Sequence, residues 1–479
     1  MYWFQINRLH CNYIHGVKNS QKSSVISLFF LFRFCIFIIL YAIICNYHYF
    51  NKSQVYFCQL FFIFYLKIIY SAYLFLKWIM PYKIFGCKVN KYFLNQRLDF
   101  FQNKWNNLDD TLLIATCVVT DRAKNKRVKE AKHALDQWLN VAITWCWSFV
   151  RWDLITESEF YSIYPELKKY SDKIQLLPES PLKDGFEYKI WWKSSVYTKH
   201  FLIVQDGCDN HCSFCLTVAK RWPHASRPLD EIIQEIHKIE SQWWKEIVIT
   251  WINLAARWCS NSTKYEETKF PYLLREILKQ TTIPRIRISS MWPEYANDEF
   301  FEVAGDERIL PHFHYSIQSF ADNVLKNMWR HYSSEELKSV LRKTRNLKKK
   351  NLISIGADII VGFPGETESD FLETYNWIEE FWVTKLHAFP FSDHTQREKI
   401  PASLLPNQID YKTKKDREIR LISKWDEIRE KFIEENKWTE HKVLIEERRN
   451  WKWRWWTENY IQVEVEWDYS RGEIIDYVL

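Results

Sequence analysis

Cys208-Asp-Asn-His-Cys212-Ser-Phe-Cys215 places three thiols within eight residues, directly after an apolar, strand-like run. Thiolates are soft ligands, and gaps of three and two residues let one loop offer all three to shared metal. Four thiolates are the usual full set for an iron–sulfur cluster, so three leave one iron open to a small molecule. Zinc is the competing reading, but structural zinc prefers four closed ligands. His211 is available as a fourth, yet it is the direct neighbour of Cys212, which makes a shared ion awkward. A second trio is spread along the chain: Cys87, Cys117 and Cys146 each stand just past a short strand-like run. A lone cysteine is usually a buried structural thiol, but three at equivalent strand ends read as ligands of a second cluster. Cys259 has no partner at ligand spacing and reads as a free thiol.

These ligands need a scaffold that brings strand ends together. From Met80 the pattern alternates: strand Tyr82–Phe85, helix Lys91–Asn103, strand Thr111–Ala115, helix Asp121–Asn140, strand Val141–Thr144. Strands alternating with helices imply a parallel sheet, taken here as doubly wound. The second cysteine trio then lies at the carboxyl edge, where open α/β sheets bind ligands. A second α/β series runs from about residue 197 to 436. Its strands are Phe201–Val204, Glu246–Thr250, Arg285–Ser289, His312–Ile317, Gly356–Val361 and Thr384–Phe389. Helices Leu229–Gln242, Ser333–Lys349 and Glu368–Phe381 lie between them, and a long charged helix, Asp410–Asn436, leads out. Alternation in Lys442–Glu446 and Ile461–Glu466 predicts a small β barrel at the end. The expected domains are thus 80–190, 195–436 and 437–479, after an apolar extension over 1–79.

The extension differs in kind. Its seven cations (Arg8, Lys18, Lys22, Arg33, Lys52, Lys67 and Lys77) face no acidic residue and account for the whole net charge of +7. The body is neutral overall, so a nucleic-acid site has to be a local patch. Val25–Cys45 and Val55–Ile79 are long enough to span a bilayer. The favoured reading is an over-extended start, with Met80 opening the first well-formed strand; membrane anchors are the alternative. A chain of 479 residues with eleven cysteines and no small secreted module calls for metal or redox work, not a disulfide framework.

Glycine numbers 9 and tryptophan 25. A chain of this length ordinarily has about 34 glycines, which is what the two counts give together. Trp145 and Trp147 flank Cys146, Trp222 precedes Pro223, and Trp251 follows Ile247–Thr250. Trp451, Trp453, Trp455 and Trp456 crowd one turn. Such places need positive φ or close backbone approach, which glycine permits and tryptophan resists. Many of these tryptophans are expected to be glycine in the cell, as when UGA is read as glycine but translated as tryptophan. The alternative is a genuinely tryptophan-rich protein.

The Cys208–Cys215 spacing, with aromatic Phe214 before the last thiol, resembles the radical-SAM superfamily. The second trio, in Gly86-Cys87-Lys-Val-Asn90, Thr116-Cys117-Val-Val-Thr120 and Trp145-Cys146, sharpens this to the methylthiotransferase family. In that family a cluster-bearing N-terminal domain precedes an open radical-SAM (β/α) barrel and a TRAM tail. The resemblance covers about Met80–Leu479. Arg221-Trp-Pro-His-Ala-Ser-Arg-Pro228 looks like the segment after the cluster, with glycine expected at 222. Ile249-Thr-Trp-Ile-Asn253 looks like a TGIN segment, with glycine expected at 251. Arg287–Ser290, His314-Tyr-Ser-Ile-Gln318-Ser and Gly356–Thr367 fit the strands that face S-adenosylmethionine (SAM). Trp456-Thr-Glu-Asn-Tyr460 fits the TRAM pattern, with glycine expected at 456. The resemblance implies two [4Fe–4S] clusters, held by Cys87, Cys117 and Cys146 and by Cys208, Cys212 and Cys215. It also implies SAM contacts from Phe214, Thr250, Asn253, Ser289, Gln318 and Gly362.

The strings GCKVN, TCVVT and, with Trp251 read as glycine, GINL resemble the MtaB type, which acts on N6-threonylcarbamoyladenosine beside the tRNA anticodon. The resemblance implies a chemistry in outline. The cluster at Cys208, Cys212 and Cys215 cleaves SAM to a 5′-deoxyadenosyl radical, which takes hydrogen from C2 of the adenine. The cluster at Cys87, Cys117 and Cys146 delivers sulfur, and a second SAM supplies the methyl group. The partner is then a tRNA anticodon loop, met through phosphates and an unstacked base. Arg448, Arg449, Lys452 and Arg454 are candidate contacts in the tail, and Lys220, Arg221 and Arg227 nearer the cluster; each is otherwise a solvated face. His224 and His387 are candidates to face the pocket, though single histidines are more often structural. The alternatives within the class act on isopentenyladenosine tRNA or on a ribosomal-protein side chain. The alternative outside it is a non-catalytic iron–sulfur protein for RNA binding or electron transfer, against which three cysteines per cluster argue. The sequence identifies neither sulfur donor nor reductant. The expected location is the cytoplasm, with a membrane involved only if residues 1–79 are real anchors.

Overall fold

The computed structural model describes residues 82–85, 111–116, 120–144, 147–150, 153–177, 198–220, 224–250, 253, 256, 258–259, 267–347, 349–394, 399–449, 452–465 and 469–479. The extension over residues 1–79 and the expected helix Lys91–Asn103 lie outside these. No described helix is long and apolar enough to cross a membrane.

β1 (Tyr82–Phe85), β2 (Thr111–Thr116), β3 (Asn140–Thr144) and β4 (Ile174–Leu176) form one sheet in that order, with every pairing parallel. α1 (Asp121–Asp136) starts where Thr120 Oγ1 accepts from Ala123 N. It buries Val128, Ala131 and Leu135 with Ile114, Val141 and Ile143 of the sheet. The strand order shows no reversal, which double winding requires. The doubly wound expectation is therefore corrected to a singly wound parallel sheet over the described strands.

The second series forms the wall of an open barrel. β5 (His200–Ile203), β6 (Glu246–Thr250) and β7 (Arg285–Ile288) pair in parallel. Beyond Ser289 the chain continues as β8 (Ser290–Met291), which pairs on with β9 (His312–Gln318), β10 (Ser354–Val361) and β11 (Val383–Pro390), again in parallel. Ser289 thus marks the switch from one neighbour to the next. β5 and β11 remain edges, and no pairing joins them among the described residues. Side chains alternate across each strand. Ile247, Ile249, Ile286, Phe313, Tyr315 and Ile355 join the core under the helices. Glu246, Arg285, Arg287, His314 and Asp358 take the other face.

The helices α2 (Leu229–Ser241), α3 (Phe270–Gln280), α4 (Ser334–Arg345), α5 (Glu368–Glu380) and α6 (Tyr411–Glu435) cover the wall. Their apolar stripes, such as Ile232, Ile236 and Ile239 of α2, enter the same core. α4 and α5 begin with reciprocal caps, Ser333 with Glu336 and Thr367 with Asp370.

The amino ends of β6 and β7 make a charged floor. Glu246 accepts from Arg285 Nε at 2.8 Å and from Arg287 Nε at 3.0 Å. Burial alone would raise the Glu246 carboxyl, but Arg287, Lys199 and Arg285 more than offset it and hold it well below the usual range. Removing one partner from such a pair strands the others, at about 3–5 kcal/mol. Glu246→Ala is accordingly expected to lower the denaturant midpoint sharply, while the exposed Glu335→Ala leaves it nearly unchanged.

β12 (Glu440–Arg449), β13 (Lys452–Trp456), β14 (Gln462–Val465) and β15 (Ile474–Val478) form the tail, in the order β14-β13-β12-β15, with β12 and β15 antiparallel. A closed barrel would require β14 to pair with β15. The described strands do not, so the expected small barrel is corrected to a four-stranded sheet. The tail reaches the barrel floor: Arg287 Nη1 donates to Glu458 O at 3.0 Å, and the Tyr460 ring lies 4.5 Å from the Arg287 guanidinium and 4.5 Å from the His312 ring.

Ten described residues other than glycine have positive φ, and six of them are tryptophan: Trp138, Trp243, Trp258, Trp329, Trp382 and Trp438, between 48° and 68°. Trp138, Trp243, Trp329 and Trp382 each stand immediately past a helix C-cap. At the end of α1, Trp138 N donates to Leu135 O and Leu139 N to Ala134 O, both at 3.1 Å. That paired pattern is the helix end that ordinarily takes glycine in the left-handed position. Trp138 is 82% exposed and Trp243 77%, so their rings gain nothing from burial. Trp147 and Trp455 are different: both are fully buried, with no positive φ, and give the glycine reading no support. Trp145, Trp222, Trp251 and Trp451 lie outside the described residues.

Candidate functional site

β5 delivers the chain to the loop that carries Cys208, Cys212 and Cys215. Gly207, at φ 75°, makes the turn into it. Asp209 fixes the loop by accepting from His224 N at 3.0 Å and pairing with His224 Nδ1 at 2.7 Å, so His224 is a loop clamp. Cys215 N donates to Cys212 O at 3.0 Å, and Thr217 N to Cys215 Sγ at 3.3 Å. Ser213 ties the loop across the barrel mouth, its hydroxyl donating to Asn327 O at 2.7 Å. Cys208 and Cys212 are buried, and all three thiols are free of disulfides.

Burial pushes the Cys208 thiol well up and the Cys212 thiol up to about 11, the latter opposed by Arg330. Without metal such thiols keep their protons; iron supplies the charge that makes thiolates favourable.

The expected SAM residues collect at the carboxyl ends of the barrel strands. Thr250 ends β6, and its hydroxyl lies 3.5 Å from that of Ser289, which follows β7; both are buried. Asn253 N donates to Gln205 Oε1 at 3.0 Å and its Nδ2 to Tyr295 Oη at 3.4 Å. Asn253 Oδ1 is buried with no hydrogen-bond donor, an orphan acceptor suited to the ammonium of an amino-acid ligand. Gln318 closes β9 with φ 71°. Gly362 follows β10 at φ 70°, and a Cβ there would lie 2.4 Å from Lys414 Cγ, so only glycine fits. Phe214 packs against the apolar cluster of Leu216, Val324, Met328, Phe363 and Phe391 beside the loop.

The other trio is positioned indirectly. Phe85 is in register with Thr116, and Ala115 with Thr144, so three adjacent parallel strands end at one edge. Neighbouring strands lie about 4.8 Å apart. Cys87, Cys117 and Cys146 follow those ends and lie outside the described residues.

Two expected RNA contacts are corrected. Arg227 is buried, donating to Glu235 Oε2 at 2.8 Å and to Ile203 O at 2.6 Å, so it is a structural bridge from β5 to α2. Lys220 is 3% exposed and forms no solvated face. Arg221 lies outside the described residues, while Arg448, Arg449, Lys452 and Arg454 bracket the β12–β13 connection.

Sequence reasoning missed two features. One is Arg330, whose Nη1 approaches Cys212 Sγ at 3.7 Å across 118 residues of sequence. The other is a polar layer in the lumen. Asp358 Oδ1 meets His314 Nε2 and His387 Nδ1, each at 3.0 Å. Burial would raise the Asp358 carboxyl, but the two imidazoles hold it far below its usual range. A Cβ at Gly356 would lie 2.2 Å from His314 Nδ1, so glycine there makes room for the ring. The sequence singles out His387 alone; the signal for the layer is His314, Asp358 and His387 at lumen-facing positions of three successive strands.

Comparison with known proteins places this architecture. A model of the Radical SAM superfamily matches residues 202–378. The threonylcarbamoyladenosine tRNA methylthiotransferase MtaB of Aquifex aeolicus is 29% identical over 83% of this chain and 98% of its own length. The protein of that name from Rickettsia prowazekii is 30% identical over 70% of this chain and 79% of its own. The ribosomal protein uS12 methylthiotransferase RimO of Alkaliphilus oremlandii is 29% identical over 72% of each chain. Barrel and cysteine loop together define a radical-SAM enzyme, a class that works with SAM and a [4Fe–4S] cluster. The likeness to these relatives, over 98% and 79% of the two MtaB-named chains, goes further. The chain belongs to the methylthiotransferase family, of the MtaB type.

Proposed function

We propose that this enzyme adds a methylthio group to C2 of N6-threonylcarbamoyladenosine at position 37 of tRNA. Cys208, Cys212 and Cys215 hold the radical-SAM cluster, and Cys87, Cys117 and Cys146 hold a second one. The observation that supports this is the parallel register of β1, β2 and β3, whose carboxyl ends share one sheet edge and are each followed in sequence by one of these cysteines. The bound cofactors supply the radical and the sulfur. The chain's own work is to bind and enclose: Thr250, Asn253, Ser289, Gln318 and Gly362 line the barrel mouth around SAM, and Phe214 shields the loop from water. The anticodon loop is the matching partner, with the basic run at the β12–β13 connection as its phosphate contact. The MtaB-named relatives and the strings around Cys87 and Cys117 support the threonylcarbamoyl substrate over the ribosomal one.

Nucleoside mass analysis of tRNA from a deletion strain is the direct test. Loss of the methylthio derivative of threonylcarbamoyladenosine is expected. Unchanged tRNA with loss of a methylthio group on a ribosomal protein would assign the enzyme to the other substrate. Cys117→Ala is expected to retain SAM cleavage and lose sulfur insertion; equal loss of both in a folded protein would defeat the two-cluster division.

A further inference from the structure

Arg330 is a long side chain held without freedom. It follows the short helix Asp322–Asn327, whose end is closed by Arg330 N donating to Leu325 O at 3.0 Å. Trp329, at φ 59°, turns the backbone so that the next side chain is directed into the barrel mouth. There Arg330 Nε donates to Tyr332 Oη at 3.1 Å and Nη2 to Ser316 O at 2.9 Å. The guanidinium also lies 3.6 Å from the Trp292 ring centroid. Tyr332 is itself anchored, its hydroxyl donating to Ile317 O at 2.6 Å. Two edges of the planar fork are thus spent on fixing it, and the third, Nη1, is left 3.7 Å from Cys212 Sγ. That is within reach of an N–H···S hydrogen bond. Both groups are buried, Arg330 at 8% exposure and Cys212 at 5%.

A buried cation has to be repaid by a partner. Among the described residues no carboxylate lies within ion-pair distance of Arg330; buried Glu294 attracts it from farther off, and a sulfur stands at contact. A thiol is a poor partner for a guanidinium, whereas a thiolate sharing a cluster's negative charge is a good one. The contact therefore makes sense for the metal-loaded state. We propose that Arg330 is a positioning residue that raises the reduction potential of the cluster held by Cys208, Cys212 and Cys215. One electron from an external low-potential donor makes the cluster more negative. A fixed guanidinium donating to a ligand sulfur stabilises the more negative state, and hydrogen bonds to sulfur are an established control of cluster potential. Arginine stays charged throughout, so no proton moves with the electron. The effect depends on the cluster alone and not on which adenosine is modified.

The test is a redox titration of anaerobically reconstituted full-length protein, followed by electron paramagnetic resonance with dithionite as reductant. Cys117→Ala serves as the background, so that the signal comes from the cluster at Cys208, Cys212 and Cys215. Arg330→Gln, with iron content equal to the parent, is expected to shift the midpoint to more negative potential. Arg330→Lys keeps the charge but lacks the fork, and is expected to shift it in the same direction by less. A midpoint unchanged in Arg330→Gln overturns the proposal. If Arg330→Gln fails to hold iron, Arg330→Lys decides: a negative shift supports the role, and an unchanged midpoint overturns it.

Discussion

Protein carrying glycine at Trp138, Trp243, Trp258, Trp329, Trp382 and Trp438 is expected to be markedly more stable than protein carrying tryptophan there. All six sites hold the backbone in the left-handed region. A side chain with a Cβ pays roughly 1–2 kcal/mol there, and glycine does not. The sites close different elements, so their gains should add to within a few tenths of a kcal/mol per pair. A metal-loaded, multidomain chain does not unfold in two states, so midpoints should be compared site by site. Trp138→Gly and Trp243→Gly are the cleanest single tests, because both rings are largely exposed and their removal leaves no cavity. Trp147→Gly is the control. Its ring is buried against Phe160 and Tyr164 with Arg127 above it at 4.5 Å. Emptying that site should cost about 3–5 kcal/mol. If all three substitutions destabilise alike, the left-handed positions carry no special strain. Intact mass of protein purified from its native source then tells which sites are glycine in the cell; a mass matching 25 tryptophans would refute recoding.

Cys212→Ala is expected to abolish SAM cleavage altogether, with 5′-deoxyadenosine formation as the readout. The loop places Cys212 at its centre: its N–H bonds Asn210 O at 2.9 Å, its carbonyl receives Cys215 N, and its sulfur meets Arg330. On the proposed ligand set, a cluster left with two protein ligands loses the arrangement that keeps a single iron open for SAM. Ser213→Ala, beside it, removes only the hydroxyl bond to Asn327 O and should lower activity modestly with iron retained. A Cys212→Ala protein that still cleaves SAM at the parent rate would mean that the loop does not hold the catalytic cluster.

How much of this was legible beforehand depends on the range over which each signal acts. The six barrel strands follow from short apolar runs, and all six stand within a few residues of the expected ranges. The cysteine loop was legible because its three thiols lie within eight residues. The order of β1 to β4 was not, since alternation of strands and helices implies a parallel sheet without saying which way each crossover steps. The tail was read as a barrel from its alternation, but pairing of the edge strands leaves no local trace. Arg227 looked like a phosphate contact because its buried partner, Glu235, lies on α2 and cannot be assigned by spacing alone. Arg330 was missed for the same reason at greater range. The left-handed tryptophans were foreseen as a class from the glycine deficit, yet the particular six were not, because helix ends shift by a residue or two in any reading of sequence.

The seat of Tyr460 under the barrel bears on how such enzymes can be recombined. Glu458 O, Tyr460 and Lys442 O all close on Arg285, Arg287 and His312. The tail is thus a stopper fitted to one particular bottle. Grafting a foreign tail onto this barrel would leave two guanidinium groups facing an ill-matched cork. A successful exchange has to carry the floor of the barrel along with the tail, so that the two are inherited together.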